Sequence, residues 1–299
     1  MRVGTASLYG GIQQRLQRLT ADLQDLNEKV ATAKKLNRLS DDPTALMDAM
    51  QVKTAMAQME QYGRNLKSAD SWFNVSEAAL SQSLDLVGRA REIAVQMSND
   101  TQDAETRAQA AVEVGHLLDQ AISLSNTQLS GRYIFAGFET GTTPFTKVTA
   151  GGIETAQYNG DANTFQVQIG KGENLAVGKS GQTVLMDSAL FNTLGTLKKA
   201  LEDNDAAGIA AQLNQLTTAE NHLNTQIADI GARQNRAQVK ESAFIQLNTI
   251  LQEQLSEAQD ADLAEVIIQL SSKQATYQAA LAAAARINQM SLLNYMSIA

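Results

Sequence analysis

Apolar side chains return at alternating steps of four and three from Ile12 through Leu16, Leu19, Leu23, Leu26, Val30 and Ala33. That is the seam of a coiled-coil helix. The stripe stops at "KKLNRLSDDP", where Asp42 is placed to cap a new helix. Pro43 fits its first turn, because a proline there forfeits only an amide that has no intrahelical partner. From Val52 the alternation resumes through Ala55, Met59, Tyr62, Leu66, Ala69, Phe73, Ser76 and Leu80 and on to Met97, and Trp72, Leu84, Leu86 and Ile93 widen it. A helix with so broad an apolar face is expected to touch more than one neighbour. Beyond the polar break "SNDTQD", a third helix carries Ala108, Ala111, Gly115, Leu118, Ile122, Ser125 and Leu129 on one face.

Between Arg132 and Met186 the period changes. "YIFAGF", "AQYNGD" and "TFQVQIG" carry β-branched or aromatic residues between Gly-Gly, Asn-Gly and Gly-Lys-Gly turns, which predicts small antiparallel strands. Helical patterning returns near Ser188. A very long helix then presents Ile209, Leu213, Leu216, Leu223, Ile227, Ile230, Ala237, Phe244, Leu251 and Leu255 in heptad phase. After a break at "AQDADL", a last helix carries Leu263, Ile267, Leu270, Tyr277, Leu281 and Ala284. The pattern predicts a mainly α fold: a long antiparallel helical bundle or coiled coil built from both chain ends, with a small β-rich domain inserted in the middle. An isolated helix in water needs an apolar face to pack against, so the first stripe should find its intrachain partner in the last helix.

Composition sharpens this picture. The chain of 299 residues is 43% hydrophobic but only 5% aromatic, so alanine, leucine and glutamine carry the pattern and thin bundles suit it better than a thick core. Pro43 and Pro144 are the only prolines, and long helices meet few interruptions. A net charge of -8 and a pI near 4.9, without a Lys/Arg run, argue against nucleic acid or an anionic membrane surface as partner. No stretch reaches the length and hydropathy of a membrane span, and Met1 to Tyr9 lacks the basic and apolar regions of a Sec signal. Without cysteine there are no disulfides or thiolate metal sites. Between Gln269 and Ala299 the only charged side chains are Lys273 and Arg286. A helix lacking a charged face is usually covered on several sides, so the chain ends are expected inside an assembly of many copies.

Catalytic chemistry finds little support. His116 and His222 lie in heptad helices, and neither belongs to a cluster with metal-ligand spacing. "GENLAVGKS", Gly172 to Ser180, puts five residues between its glycines where a phosphate loop has four. "GQTVL" follows where that loop needs a helix, so a hairpin turn is the expectation. No enzyme activity, cofactor or metal is expected.

Three segments carry a resemblance. "LNRLSDDPTALMDAM", with Asp41, Asp42 and Pro43, and "DADLAEVIIQLSSKQATYQAALAAAARINQMSLL" together resemble the two ends of the bacterial flagellin superfamily. "MRVGTASLY" differs from the usual flagellin opening. "GRYIFAGFETGTTPF", with Gly131, Arg132, Tyr133, Phe135 and Gly137, is similar to the segment typical of hook-filament junction members of that superfamily. By analogy, residues 1–42 and 261–299 form a terminal coiled-coil domain, 43–131 and 188–260 a helical rod, and 132–187 an outer β-rich insertion. The resemblance implies a structural adaptor exported unfolded by the flagellar type III apparatus. It would form a ring of copies between hook-associated protein 1 and the first flagellin layer, outside the cell, after an export chaperone has held its last helix. In the terminal seam Leu16, Leu19, Leu23 and Leu26 are expected to dock against Leu263, Ile267, Leu270 and Leu281, with Tyr277 the largest side chain. Three other readings stay open: a flagellin filament subunit, a non-flagellar secreted coiled-coil protein, and a nucleotide hydrolase using "GENLAVGKS".

Overall fold

A computed structural model describes the backbone of residues 2–38, 40–99 and 101–296 and the side chains of 10–38, 40–99 and 101–286. Six α-helices are described: α1 (Arg2–Thr32), α2 (Pro43–Met97), α3 (Ala104–Ser125), α4 (Leu190–Glu202), α5 (Ala206–Gln259) and α6 (Leu263–Met296). Between α3 and α4 lie three two-stranded antiparallel ribbons: β1 (Gln128–Leu129) with β2 (Arg132–Tyr133), β3 (Phe145–Ala150) with β4 (Ile153–Tyr158), and β5 (Gln166–Gly170) with β6 (Glu173–Ala176). The chain divides into two compact units, Met1–Ala57 with Leu247–Ala299, and Gln58–Gln246.

The unit of residues 58–246 holds the large core. On α2 the positions Leu66, Phe73, Leu80, Val87 and Ala94 recur every seven residues and are all buried, as are Ala69, Ser76, Ser83, Ala90 and Met97 three residues on. On α5 the buried heptad is Ile209, Leu216, Leu223, Ile230 and Ala237. The 4–3 alternation of the sequence therefore marks the true packing face of both helices, as the geometry of the coiled coil requires. Trp72, at the widened edge of α2, meets Phe165 of the insertion edge-on, ring centroids 4.7 Å apart. Asp103 caps α3, its carboxylate accepting from the Thr106 amide at 2.7 Å. Arg107, one turn in, is a buried cation. Its guanidinium donates to Met97 O and Asn99 O, both at 3.0 Å, and to the Asn204 side chain, so it fills the carbonyl end of α2 where the helix dipole is negative.

The insertion holds the small antiparallel strands expected of it, but their bounds differ from the prediction. In "YIFAGF" the strand ends at Tyr133, and the buried residues Ile134, Phe135 and Ala136 continue in turns. Their backbone groups are taken by distant partners instead of a neighbouring strand. Ile134 N donates to Thr127 O at 3.1 Å, Phe135 O accepts from Gly181 N at 2.8 Å and from the Tyr158 hydroxyl at 3.0 Å, and Ala136 O accepts from Asp161 N at 3.2 Å. In "AQYNGD" the strand stops at Tyr158, and Asn159-Gly160 is a loop, not a hairpin turn. The Gly-Gly and Gly-Lys-Gly signals do make hairpins: Gly151 and Gly152 (φ 62° and 81°) join β3 to β4, and Gly172 (φ 74°) lies between β5 and β6. "GQTVL" also departs from expectation, since Gln182–Met186 form one π-helical turn.

Candidate subunit-packing surface

The links between helices prepare this site. Asp42 caps α2 by accepting from the Thr44 and Ala45 amides at 2.9 and 3.0 Å, with Pro43 as first helical residue. Asp41 faces the other way: its carboxylate accepts from Asn37 N at 3.0 Å and Arg38 N at 2.9 Å, closing the turn that precedes the helix. The paired acids thus divide the work between the end of one link and the start of a helix. Those amides, Arg38 first and then Asn37, hold the Asp41 carboxyl below the usual aspartate range. A lowered folded pKa means that this turn is favoured above the ordinary aspartate pKa and loses its anchor as acidification passes the folded value. A carbon-detected titration should therefore give Asp41 a midpoint below that of a free aspartate; a midpoint at or above it would contradict the geometry.

The link after α5 meets the link after α1. Lys35 N donates to Gln259 O at 2.8 Å and Ala261 N to Ala33 O at 3.0 Å, an antiparallel bridge centred on Lys34 and Asp260. Asp262 then caps α6, accepting from Ala264 N at 2.9 Å and Glu265 N at 3.2 Å. Twelve residues before Lys34, Asp22 pairs with Lys273 at 2.6 Å. Together these contacts set α1 and α6 antiparallel.

Within that pair Leu26 and Val266 are buried, while Leu16, Leu19, Leu23, Leu270 and Tyr277 are half-buried. Leu263, Ile267 and Leu281 are 40%, 49% and 44% exposed, so the chain does not bring these three into the seam with the α1 leucines. The covered face of α6 runs instead through Val266, Leu270, Lys273, Tyr277, Ala280 and Ala284. Sequence reasoning placed Leu270, Tyr277 and Ala284 on this face and missed Val266, Lys273 and Ala280; an alanine buries little surface, and Lys273 joins the face by pairing with Asp22. Leu263, Ile267 and Leu281 flank the covered face, and Ile268, 69% exposed, lies on the side away from it. Met47 and Met50, near the start of α2, and Leu247 and Ile250, near the end of α5, are exposed in the same unit. Among its described residues, the buried ones are Leu26, Leu36, Ala49, Gln259 and Val266.

The other predicted motif lies in the unit of residues 58–246. Gly131 (φ 78°) follows Ser130 (φ 52°) in the turn between β1 and β2, a pairing of left-handed residues that glycine adopts without strain. Arg132 is exposed, and the Tyr133 hydroxyl lies 3.0 Å from Thr143 Oγ1. Phe135 is buried. Gly137 (φ 69°) has no room for a side chain, because a Cβ would lie 2.0 Å from Asp161 Oδ1. That carboxylate oxygen accepts from Phe138 N at 3.0 Å and Asn163 N at 2.8 Å, so the motif positions a loop and offers no reactive group.

His222 is tied by Nε2 to Thr183 O at 2.9 Å, and His116 is exposed on α3. Among the described residues no group of three His, Cys, Asp or Glu side chains could hold a metal ion, and no helix is long and apolar enough to cross a membrane.

Residues 3–140 match the bacterial flagellin N-terminal helical region, and residues 213–296 match the bacterial flagellin C-terminal helical region. The chain is 27% identical to flagellar hook-associated protein 3 of Escherichia coli (strain K12) over 93% of its own length and 96% of that protein. To the protein of the same name from Salmonella typhimurium (strain LT2) it is also 27% identical, over 77% of this chain and 81% of that one. A solved structure of a flagellar hook-associated protein from Vibrio parahaemolyticus shares the fold, with a TM-score of 0.67 at 20% identity, covering 74% of this chain and 100% of the other.

Proposed function

Because this chain belongs to the bacterial flagellin family, we propose that it is a structural adaptor of the flagellum, joining the hook and hook-associated protein 1 on one side to the flagellin filament on the other. One observation carries the reading. The unit containing both chain ends buries few of its described side chains and leaves Met47, Met50, Leu263, Ile267, Ile268 and Leu281 exposed. A pair of helices with so little covered apolar surface is weakly stable in water and gains its core from neighbours. The neighbours are further copies of this chain in a ring, then hook-associated protein 1 and flagellin. The work is packing rather than catalysis. Residues 1–42 and 261–299 serve as the terminal coiled coil, 43–131 and 188–260 as the rod, and 132–187 as the outer insertion. Before assembly the chain passes the flagellar type III apparatus unfolded, with an export chaperone on its last helix, and it ends outside the cell.

Hook-associated protein 3 and flagellin FlaB2 of Treponema pallidum match this chain at the same 27% identity over 93% of its length, so the junction and filament roles are separated by expression. Expression in a strain lacking its junction protein should restore filament attachment, whereas expression in a strain lacking flagellin should build no filament. The reverse pattern would make the chain a flagellin, and rescue of neither would place it outside the flagellar rod. A finer variant isolates the surface: Ile268→Lys, at an exposed position, should change the thermal midpoint of the monomer by no more than about 2 °C while abolishing attachment in the first strain. Normal filaments on this variant would remove that face from the interface.

A further inference from the structure

The "GENLAVGKS" segment enters the fold as β6 and the loop after it, and its last residues line a cleft of about 370 Å³ against α5. That volume lies within the roughly 300–1,000 Å³ of small-molecule sites. Three amides of this loop are already engaged: Val177 N and Gly178 N donate to Phe165 O at 3.0 and 3.3 Å, and Gly181 N to Phe135 O at 2.8 Å. These three amides are not available to cradle a phosphate, and recognition rests on side chains.

Lys179 reaches α5, where its ammonium pairs with Asp229 Oδ2 at 2.7 Å and donates to Gln226 Oε1 at 2.6 Å. Arg233 donates to the same carboxylate oxygen at 2.9 Å and to Ala176 O at 3.0 Å. A lysine has three N–H donors and an arginine five. One donor of Lys179 and three of Arg233 thus remain without a partner among the described residues, against one spare oxygen on Asp229. Two cations share one anion, which leaves a single positive charge. Burial lowers the Lys179 pKa and outweighs the opposing pull of Asp229, so the cation is under-compensated where it stands. Thr164, Thr183 and Thr225 supply hydroxyl-bearing side chains to the lining. The floor is held in place by the bond between His222 and the carbonyl of the π-helical turn.

We propose that this cleft binds a hydroxylated monocarboxylate of the size of a sugar acid. The ligand carboxylate would take the spare donors of Lys179 and Arg233 and match the one excess positive charge. Its hydroxyls would bond the free oxygen of Asp229 and the threonines. This site is independent of the adaptor role, since none of its residues belongs to the terminal helices.

Calorimetric and NMR titration of the full chain with glucuronate, glucose and inorganic phosphate tests it. Saturable glucuronate binding is expected, with amide shifts confined to residues 178–184 and 225–233, and with glucose at least about tenfold weaker, or about 1.4 kcal/mol. Lys179→Met and Arg233→Gln should each weaken glucuronate by about tenfold or more, and an unchanged circular dichroism spectrum would show that the fold survives. No localised response to glucuronate, an equal response to glucose, tighter binding of phosphate, or undiminished affinity in both folded variants would each overturn the site.

Discussion

Replacing Gly195 by alanine is expected to destabilise the unit of residues 58–246 by about 3 kcal/mol or more. Gly195 lies in the middle of α4, where β4 crosses the helix, and a Cβ at this position would stand 1.8 Å from Glu154 O and 2.9 Å from Ile153 Cγ2. The nearer obstacle is backbone, held in the β3–β4 ribbon by the pairing of Glu154 with Thr149. The helix cannot simply recede, because Leu190, Leu194, Leu197 and Leu201 are all buried along it. Helix propensity alone would favour alanine by about 0.5–1 kcal/mol. Steric exclusion outweighs that preference and decides the sign. For a domain of this size 3 kcal/mol corresponds to a fall of roughly 6–12 °C in thermal midpoint. Gly88→Ala on α2 provides the contrast, since nothing lies within 4 Å of its added Cβ, and it should hold or raise stability. If Gly195→Ala melted like the parent, the close crossing of β4 over α4 would be wrong.

The second large effect belongs to the terminal pair. Leu26→Asp places a carboxylate at one of the buried positions of α1, 7% exposed beside α6, at a cost of several kcal/mol unless the helices part. Since that unit holds few buried side chains, parting is the cheaper course. Amide exchange along α1 and α6 should rise to that of free helices while residues 58–246 keep their protection. On the proposed function, export should continue, because an exported chain is unfolded, and filament attachment should fail. Leu23→Asp, at a half-buried position, should show the same defect to a smaller degree. Cells making normal filaments on Leu26→Asp would separate the α1–α6 seam from assembly.

Much of the helical frame was legible because it depends on spacing alone. Leu66 to Ala94 and Ile209 to Ala237 repeat every seven residues, and a helix has one face on which such a set can lie. Asp42 before Pro43 was equally readable, since a cap and a first-turn proline act on their own backbone. The Gly151-Gly152 turn likewise needs only a left-handed backbone. These are local or strictly periodic causes, and they carried the mainly α class with its inserted ribbons.

Elsewhere the deciding partner lies far along the chain. The segment from Ile134 to Gly137 has strand-like residues but turns, because Thr127, Tyr158, Asp161 and Gly181 take its hydrogen bonds. Arg107 reads as an ordinary helix charge until the carbonyls at the end of α2 close around it. On α6 hydrophobicity centres the stripe on Leu263, Ile267, Leu270, Tyr277 and Leu281. With the bridge between Lys34 and Asp260 and the pair of Asp22 with Lys273 in place, the covered face is rotated toward Val266, Lys273 and Ala280 and keeps Leu270, Tyr277 and Ala284. Helix identity, caps and the Gly-Gly and Gly-Lys-Gly turns thus followed from residue order itself. Which face is covered, which loop is locked and which glycine is indispensable were decided by contacts across long sequence separations, where one backbone or one charge rules out what local preference allows.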